Sequence, residues 1–582
     1  MNFEKLYIPI EAVERFTVLY QILSHAAKRY PNRIAYCQPE GKDTRSEVTF
    51  ADLKTNVNAL RAALVARGLA WGHTAILGES SYQWITAYLA LVTGCGVAVP
   101  LDKENPVETV AKQIRHADVQ TVFCSARSLK KLQKVLPDCP GVKTVVMMRT
   151  ADAPDLPEGV EALFMDALLE EGKAILAERG DAALPERVDP DALAVIIYTS
   201  GTTGANKGVM LSNRNIMGTL RGCARLLHYP RTSISVLPIN HSYELHAHLM
   251  SCLYCGTTVF LNNDLKRMLP NIEQFAPEMS CMVPMMLDLL VKKIRKSIAD
   301  SGKEGTFKAT ARLSNGLLKM GIDLRRRLFG PVLTALGGNL RMIICGGAAL
   351  SQDTADFLRT VGITVYNGYG ITECSPVAAV NPLAKVRRHS VGHLLPTMTA
   401  RIADPDENGN GEIQLYGENV MLGYYKAPED TKAVFTEDGW FRTGDIGHID
   451  KFNYLYISGR LKNLIILPNG KNVCPEELEQ ALTERMPYIK ECVVMSDEAG
   501  TGIYALIYPD PEEMRSRGLT DPVRIKAFMQ PDMQAFNRDM PGFKRIADFE
   551  ITETEFAKNT THKIQRFKIA AVRKPKEETA NV

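Results

Sequence analysis

The chain has 582 residues, 45% hydrophobic and 23% charged, a globular mixture with room for about three to five domain-sized units. Its net charge of +3 is too small to point to nucleic acid. Twelve cysteines are scattered rather than framed; only Cys252 and Cys255 form a C-x-x-C, and their apolar flanks point to two reduced, packed thiols.

The opening, MNFEKLYIPIEAVERF, is acidic early and carries no apolar run of a leader. Beyond it, apolar strand-like runs alternate with helix-like ones. Trp84–Val92 reads as a buried helix and Gly96–Leu101 as a buried strand. The stretch 87–101 is too short to span a bilayer and is broken by Thr93, Gly94 and Gly96. A cytoplasmic, thiol-reducing setting is therefore expected. Gln120–Ser125, Lys143–Met148 and Ala194–Thr199 are further strand candidates. Such alternation predicts an α/β fold.

The strand Ala194–Thr199 runs into YTSGTTGANKG, residues 198–208. The segment MLSNRNIMGTLRGCARLL after it is helix-like, with Ser212 as N-cap. Arg341–Gly347 and Thr364–Gly370 repeat the form of a short strand ending in glycines. Beyond Val391 the pattern turns to short strands and turns, a β-rich part over 391–459. A boundary is expected at 459/460. Pro475–Glu484 opens the next element as a helix, with proline first and acids in its first turn.

In YTSGTTGANKG, glycines at 201, 204 and 208 let backbone N–H groups approach phosphate oxygens. Thr199, Ser200, Thr202 and Thr203 add hydroxyls, and Lys207 adds charge. The loop is no Walker A motif, since Asn206 replaces the second glycine of that pattern and Gly208 follows the lysine. Alone, it says that phosphate is gripped by a non-Walker loop. The spacing His241-x4-His246-x-His248 invites a metal reading, which lacks a clear carboxylate partner or second site.

The loop resembles the phosphate loop of the adenylate-forming (AMP-binding) superfamily, and the likeness runs in order over about residues 30–570. Tyr369–Glu373 (YGITE) is similar to its second signature and Ile344–Leu350 (ICGGAAL) to its adenine-side glycine segment. Trp440–Gly447 (WFRTGDIG) is similar to its ribose clamp, Ser458–Asn463 (SGRLKN) to its hinge, and Phe556–Lys568 to its terminal lysine motif.

The resemblance implies large α/β subdomains, doubly wound, with a distorted β-barrel subdomain over 1–459, and a small mobile α+β lid over 460–582. It implies that Thr199, Ser200, Gly201, Thr202, Thr203, Gly204 and Lys207 hold the ATP phosphates. Gly346, Gly347, Asn367, Gly368, Tyr369, Gly370 and Thr372 would line the adenylate. Asp445 and Arg460 would hold ribose or phosphate, Lys462 would be the pivot, and Thr199 and Glu373 would hold Mg2+.

Lys563 would neutralise charge as pyrophosphate leaves, and His241 would line the acyl site. Ala557 and His562 depart from the Pro and Gly usual in the terminal motif, and Ile466 from a second lysine found in luciferase-like members. The segments LALVTGCGVAVPLDKENP and LGGNLRMIICGGAAL look most like long-chain fatty acyl-CoA synthetases. The implied reaction forms an acyl-AMP from ATP and a medium- or long-chain fatty acid, then an acyl-CoA. Delivery to an acyl carrier protein and a non-catalytic lipid-sensing role stay open.

One charge cluster stands apart. Residues 291–330 carry eleven Lys/Arg against three Asp/Glu, with apolar residues at roughly helical spacing. An anionic membrane surface such as the inner face of the cell membrane, a solvated face, and a face for CoA phosphates all remain readings of it.

Overall fold

The computed structural model describes residues 16–41, 44–149, 153–185, 188–200, 206–383, 385–468, 471–496, 502–558, 564–566 and 568–569. It divides into two compact units. The first comprises 1–347, 355–400 and 415–441, and the second 348–354, 401–414 and 442–582.

Two large sheets build the first unit. One has eight strands in the order Gly423–Tyr424, Asn206–Ser212, Leu193–Ser200, Val97–Leu101, His73–Leu77, Val119–Cys124, Thr144–Met147 and Glu161–Phe164. The six from Leu193–Ser200 onward are parallel, and the two at the other edge are antiparallel. These strands are Val-rich and buried along most of their length, as a sheet covered by helices on both faces requires.

The second sheet has nine strands, with the parallel set Ile34–Pro39, Thr258–Leu261, Thr232–Ser235, Met279–Met282, Met342–Cys345 and Thr364–Gly370 at its centre. In each sheet one strand, His73–Leu77 or Thr232–Ser235, has its successors on opposite sides. That is a topological switch point, where an open α/β sheet leaves a crevice at the strands' carboxyl ends.

The sequence reading of the helices holds with one correction. Tyr82–Ala90 is a helix buried from Gln83 onward, capped by Ser81, whose hydroxyl accepts from the Trp84 N–H at 3.2 Å. Ser212 caps the helix Asn213–Leu226 and makes a capping box with Asn215. The stretch just before it, however, is the strand Asn206–Ser212. Lys207 and Gly208 therefore lie on the returning arm of a β-hairpin, not on a loop leading into a helix. Alternating Lys207, Val209 and Leu211, the latter two buried, supply the strand period that the helix-like reading of this segment passed over. A Cβ on Gly208 would meet Ile196 Cγ2 at 2.9 Å, so this glycine serves strand packing.

The second unit has a core of its own. The helix Pro475–Arg485 opens with its proline, and Pro522–Asp539 packs beside the sheet formed by Ile489–Ser496, Ile503–Pro509 and Ile546–Ile551. Val494, Ile507, Met529, Phe536 and Phe549 fill it. The strands Phe441–Ile449 and Leu455–Arg460 form an antiparallel hairpin. No described helix is long and apolar enough to cross a membrane, and none of the twelve cysteines is in a disulfide.

Close packing in the first unit can be checked at Gly172. It sits in the helix Met165–Arg179 where a Cβ would lie 1.8 Å from the Ala59 carbonyl oxygen of the helix Phe50–Ala66. Gly172→Ala is expected to cost about 1–3 kcal/mol, read as a lower denaturant midpoint. An unchanged midpoint would refute this helix–helix contact.

Candidate active site

The phosphate-type loop is anchored at both ends. Thr199 pairs with Lys207 and Ser200 with Asn206 across the hairpin that encloses residues 201–205. Below it, the Tyr198 hydroxyl donates to the Gln113 carbonyl at 3.1 Å and lies 2.8 Å from His116 Nδ1. Burial raises the pKa of this phenol, so it stays a neutral donor. Gly201, Thr202, Thr203 and Gly204 lie outside the described residues, as does the Ser200 side chain.

Lys207 is held on two sides. Its ammonium is 3.0 Å from Asp430 Oδ1 and 4.9 Å from the centre of the Tyr424 ring. Tyr424 reaches this place because Gly423–Tyr424 adds an antiparallel edge strand to Asn206–Ser212, pairing Tyr424 with Val209. Asp430 lies in the first turn of the helix Pro428–Ala433, which follows at once.

The Tyr424 hydroxyl then donates to Glu373 Oε1 at 2.9 Å. Burial first, and the Glu373 carboxylate second, push the Tyr424 pKa up, which keeps that proton on the phenol. Lys207, Tyr424 and Glu373 thus form one connected chain. Sequence reasoning missed Tyr424 and Asp430. Their only local signal is the run LGYYKAPED, about fifty residues past YGITE and without a phosphate-loop composition.

The YGITE residues are held as firmly. A Cβ on Gly370 would meet the Pro376 carbonyl oxygen at 1.9 Å, so this position admits only glycine. The Thr372 hydroxyl is 3.2 Å from Ser242 Oγ, and the Glu373 carbonyl accepts from the Met421 N–H at 2.8 Å. Tyr369 pairs with Ala379 in the antiparallel edge. Asn367 donates through its amide to the Ser390 carbonyl at 3.4 Å, and Gly368 pairs with Val380. Gly347 has φ +88°, and Gly346 faces the Gly368 carbonyl and the Tyr243 ring. The Tyr243 hydroxyl donates to the Ile344 carbonyl at 3.0 Å. Gly346, Gly347, Asn367, Gly368, Tyr369, Gly370 and Thr372 therefore gather at the carboxyl ends of neighbouring strands, with Ser242 and Tyr243 as unforeseen members.

His241 follows the switch-point strand Thr232–Ser235, and its Nε2 is 3.8 Å from Asp102 Oδ2. Asp102 follows the strand Val97–Leu101. Extending the pairing of Ala98 with Val195 sets Asp102 level with Thr199. His241 is thereby drawn to the edge where the phosphate-type loop begins.

The other two histidines are core groups. Burial holds the His246 pKa down at about 3, and its Nε2 is 2.8 Å from the Tyr88 hydroxyl. His248 lies between Glu244 at 2.9 Å and Ser233 at 2.7 Å, all three fully buried. A carboxylate partner does exist, but among the described residues no cluster of three or more His, Cys, Asp or Glu side chains suits a metal.

In the second unit, Asp445 and Arg460 are cross-strand partners, joined by an ion pair of 2.7 Å with Asp445 buried. Gly444 has φ +67°. The Thr443 hydroxyl accepts from the Asp445 N–H at 3.0 Å. Lys462 lies in the short turn Leu461–Asn463 just beyond.

Lys563 lies outside the described residues, but its flanks are fixed. Lys558 bridges Ile564 and pairs with Glu491 and Glu555. Arg566 pairs with Glu479 and donates to the Val494 carbonyl at 3.1 Å.

Within the first unit, the glycine-lined strand edge and the hairpin that carries Lys207 are the elements that a phosphate-binding site would use. The AMP-binding enzyme family model matches residues 23–425. The chain belongs to the AMP-binding enzyme family. The model of that family's C-terminal domain matches residues 462–577.

The chain is 30% identical over 486 residues to the long-chain-fatty-acid–CoA ligase FadD15 of Mycobacterium bovis, covering 80% of this chain and 78% of the relative. It is 28% identical over 556 residues to the peroxisomal long chain acyl-CoA synthetase 6 of Arabidopsis thaliana, covering 89% and 77%. The crystal structure of the anthranilate CoA ligase AuaEII in complex with anthranoyl-AMP aligns over 99% of both chains, with a TM-score of 0.74 at 19% identity, a likeness of fold.

A hydrogen bond to a charged group contributes about 1.5–3 kcal/mol. A double-mutant cycle on stability between Tyr424→Phe and Glu373→Gln is therefore expected to return a coupling on the order of 1.5 kcal/mol. Additive effects would remove Tyr424 from the site.

Proposed function

We propose that this AMP-binding enzyme activates a medium- or long-chain fatty acid with ATP and transfers the acyl group to CoA. The observation that carries the reading is the chain Lys207–Tyr424–Glu373, in which one tyrosine holds a cation at its ring and a carboxylate at its hydroxyl beside a phosphate-type loop. The relatives named as long-chain-fatty-acid–CoA and long chain acyl-CoA enzymes support the choice of acid and thiol.

A carboxylate is a poor acyl donor, because oxide would have to leave. In the first step its oxygen attacks the α-phosphorus of ATP. The bond to the bridging oxygen breaks, pyrophosphate leaves and acyl-AMP forms. Two anions must meet, so positive charge has to be in place beforehand. Lys207 supplies part of it from the hairpin, exchanging its contact with Asp430 for phosphate oxygens. Lys563 supplies the rest at the carboxylate and the bridging oxygen. His241 lines the acyl side, and Asp445 and Arg460 hold the ribose.

Glu373 and Thr199 offer hard oxygen donors, the set that Mg2+ prefers, and the ion would neutralise phosphate charge there. Tyr424 fixes the orientation of that carboxylate. In the second step the CoA sulfur attacks the acyl carbon. The bond to AMP breaks, AMP leaves and the thiol proton goes to solvent.

The reading places a functional boundary at 459/460, with rotation about Lys462 withdrawing Lys563 between the steps. Twelve cysteines with no disulfide among them support a cytoplasmic, reducing setting.

Lys563→Ala is expected to lower acid-dependent pyrophosphate exchange by about 100-fold or more, while CoA still consumes acyl-AMP supplied ready-made. Undiminished exchange would remove Lys563 from the first step. A series of acids of increasing chain length, assayed with free CoA and with acyl carrier protein, tests acid and acceptor together. The expected product is acyl-CoA from the longer acids; exclusive loading of the carrier protein would redirect the second step.

A further inference from the structure

Residues 284–319 form two helices, Pro284–Asp300 and Glu304–Lys319, joined by a short turn in which Gly302 has φ +66°. The first buries Met286, Leu287, Leu290, Val291 and Ile294. Its outer face carries Leu289, Lys293 and Lys296, spaced four and then three residues apart, one stripe along the helix.

Leu313 on the second helix and Met320, the residue that caps its end, stand seven residues apart on one exposed stripe. Lys308, Arg312 and Lys319 make a neighbouring stripe about 100° away. Leu289, Leu313, Met320 and Ile322 are 60%, 59%, 75% and 44% exposed. Of thirteen large apolar side chains exposed among the described residues, these four fall within 34 consecutive positions, 289–322. The concentration is too high for scattered surface leucines, which are ordinary when single.

Not all the charge of the segment is available. Arg325 is paired with Asp323 at 2.7 Å, and Arg326 donates to the Gly338 and Leu340 carbonyls at 2.6 and 2.8 Å. Those arginines hold the fold. The lysines on the helices and Arg312 are exposed and face outward with the leucines.

We infer that this helix pair is a docking surface for an anionic lipid bilayer. The mixture of side chains decides among partners. Protein interfaces are depleted in lysine at their cores. A nucleic-acid backbone takes the charge but offers nothing to exposed leucine and methionine. A bilayer interface takes both, lysine at the headgroup phosphates and leucine at the acyl boundary. The surface is separate from the residues assigned to adenylation, so it stands or falls independently of the proposed reaction.

The test uses the full chain and sedimentation with vesicles of phosphatidylcholine alone or with about one-third phosphatidylglycerol. Three proteins are compared: the wild type, Lys296→Glu/Lys308→Glu/Arg312→Glu/Lys319→Glu, and Leu313→Ser/Met320→Ser. The wild type is expected to bind the anionic vesicles and not the neutral ones. The charge-reversed variant should lose ~100-fold or more in partition. The serine variant should lose about tenfold and bind more salt-sensitively.

Unchanged pyrophosphate exchange with a short soluble acid checks that both variants fold. Equal wild-type binding to neutral and anionic vesicles, or no binding to either, overturns the inference. So does wild-type-like binding by the charge-reversed variant. Salt-sensitive binding to duplex DNA without binding to anionic vesicles, or release from vesicles by saturating CoA, would reassign the charge to a nucleic acid or to the CoA phosphates.

Discussion

A lysine ammonium on a four-carbon stem has many rotamers, and fixing it at a phosphate costs entropy unless the protein has already restricted it. Lys207 is restricted by backbone and side chain together. The hairpin sets its Cα opposite Thr199, and Asp430 and the Tyr424 ring confine its head group. Asp430 is half exposed, so its hold on Lys207 is weak in water and readily exchanged for phosphate. Tyr424 is different. It is buried, and its hydroxyl is committed to Glu373. The edge strand Gly423–Tyr424 thus makes two signature motifs, 166 residues apart in sequence at Lys207 and Glu373, parts of one device.

That dependence explains what the sequence could and could not tell. Six of the parallel strands, Val97–Leu101 and Val119–Cys124 among them, were legible as short apolar runs, and the glycines were read as places where polyphosphate needs close backbone approach. Gly208 and Gly370, however, are required by contacts within the chain itself, with Ile196 and with the Pro376 carbonyl. The order YTSGTTGANKG, YGITE, WFRTGDIG supplied the family.

Two kinds of fact were hidden. Lys207 on a strand was masked by a following segment whose apolar spacing also suits a helix. Tyr424, Asp430, Ser242 and Asp102 were hidden because each is an ordinary residue in its own neighbourhood. They become site residues only when sheet order brings their strands and helices together. The buried Glu244–His248–Ser233 set shows the reverse case. Three histidines at suggestive spacing resolve into one half-buried group at the site edge and two in the core.

The second unit poses a different physical problem. Asp445 is buried, and a buried carboxylate is tolerated when a partner compensates its charge. Arg460, its cross-strand neighbour, does so at 2.7 Å. The pair therefore exists with no ligand present, so the ribose contact proposed for it would not have to compensate a bare buried charge. The same logic governs the segment around Lys563. Lys558 and Arg566 are neutralised by Glu491, Glu555 and Glu479, so the local cations on either side of 559–563 are already satisfied. The proposed first step accordingly draws on neither of those two cations.

The outer helices follow the opposite rule. There, leucine and methionine are left in water beside lysine, where no partner within the described residues covers them. A fold gains nothing from exposed Leu313 or Met320, and a purely solvated basic face would carry polar residues in their place. The reaction proposed for this chain takes an amphiphile whose apolar tail partitions into bilayers. A protein that drew such a substrate from water alone would meet it at low free concentration. A surface that rests on the bilayer meets it where it is concentrated. The exposed apolar stripe and the proposed substrate thus answer to the same hydrophobic driving force.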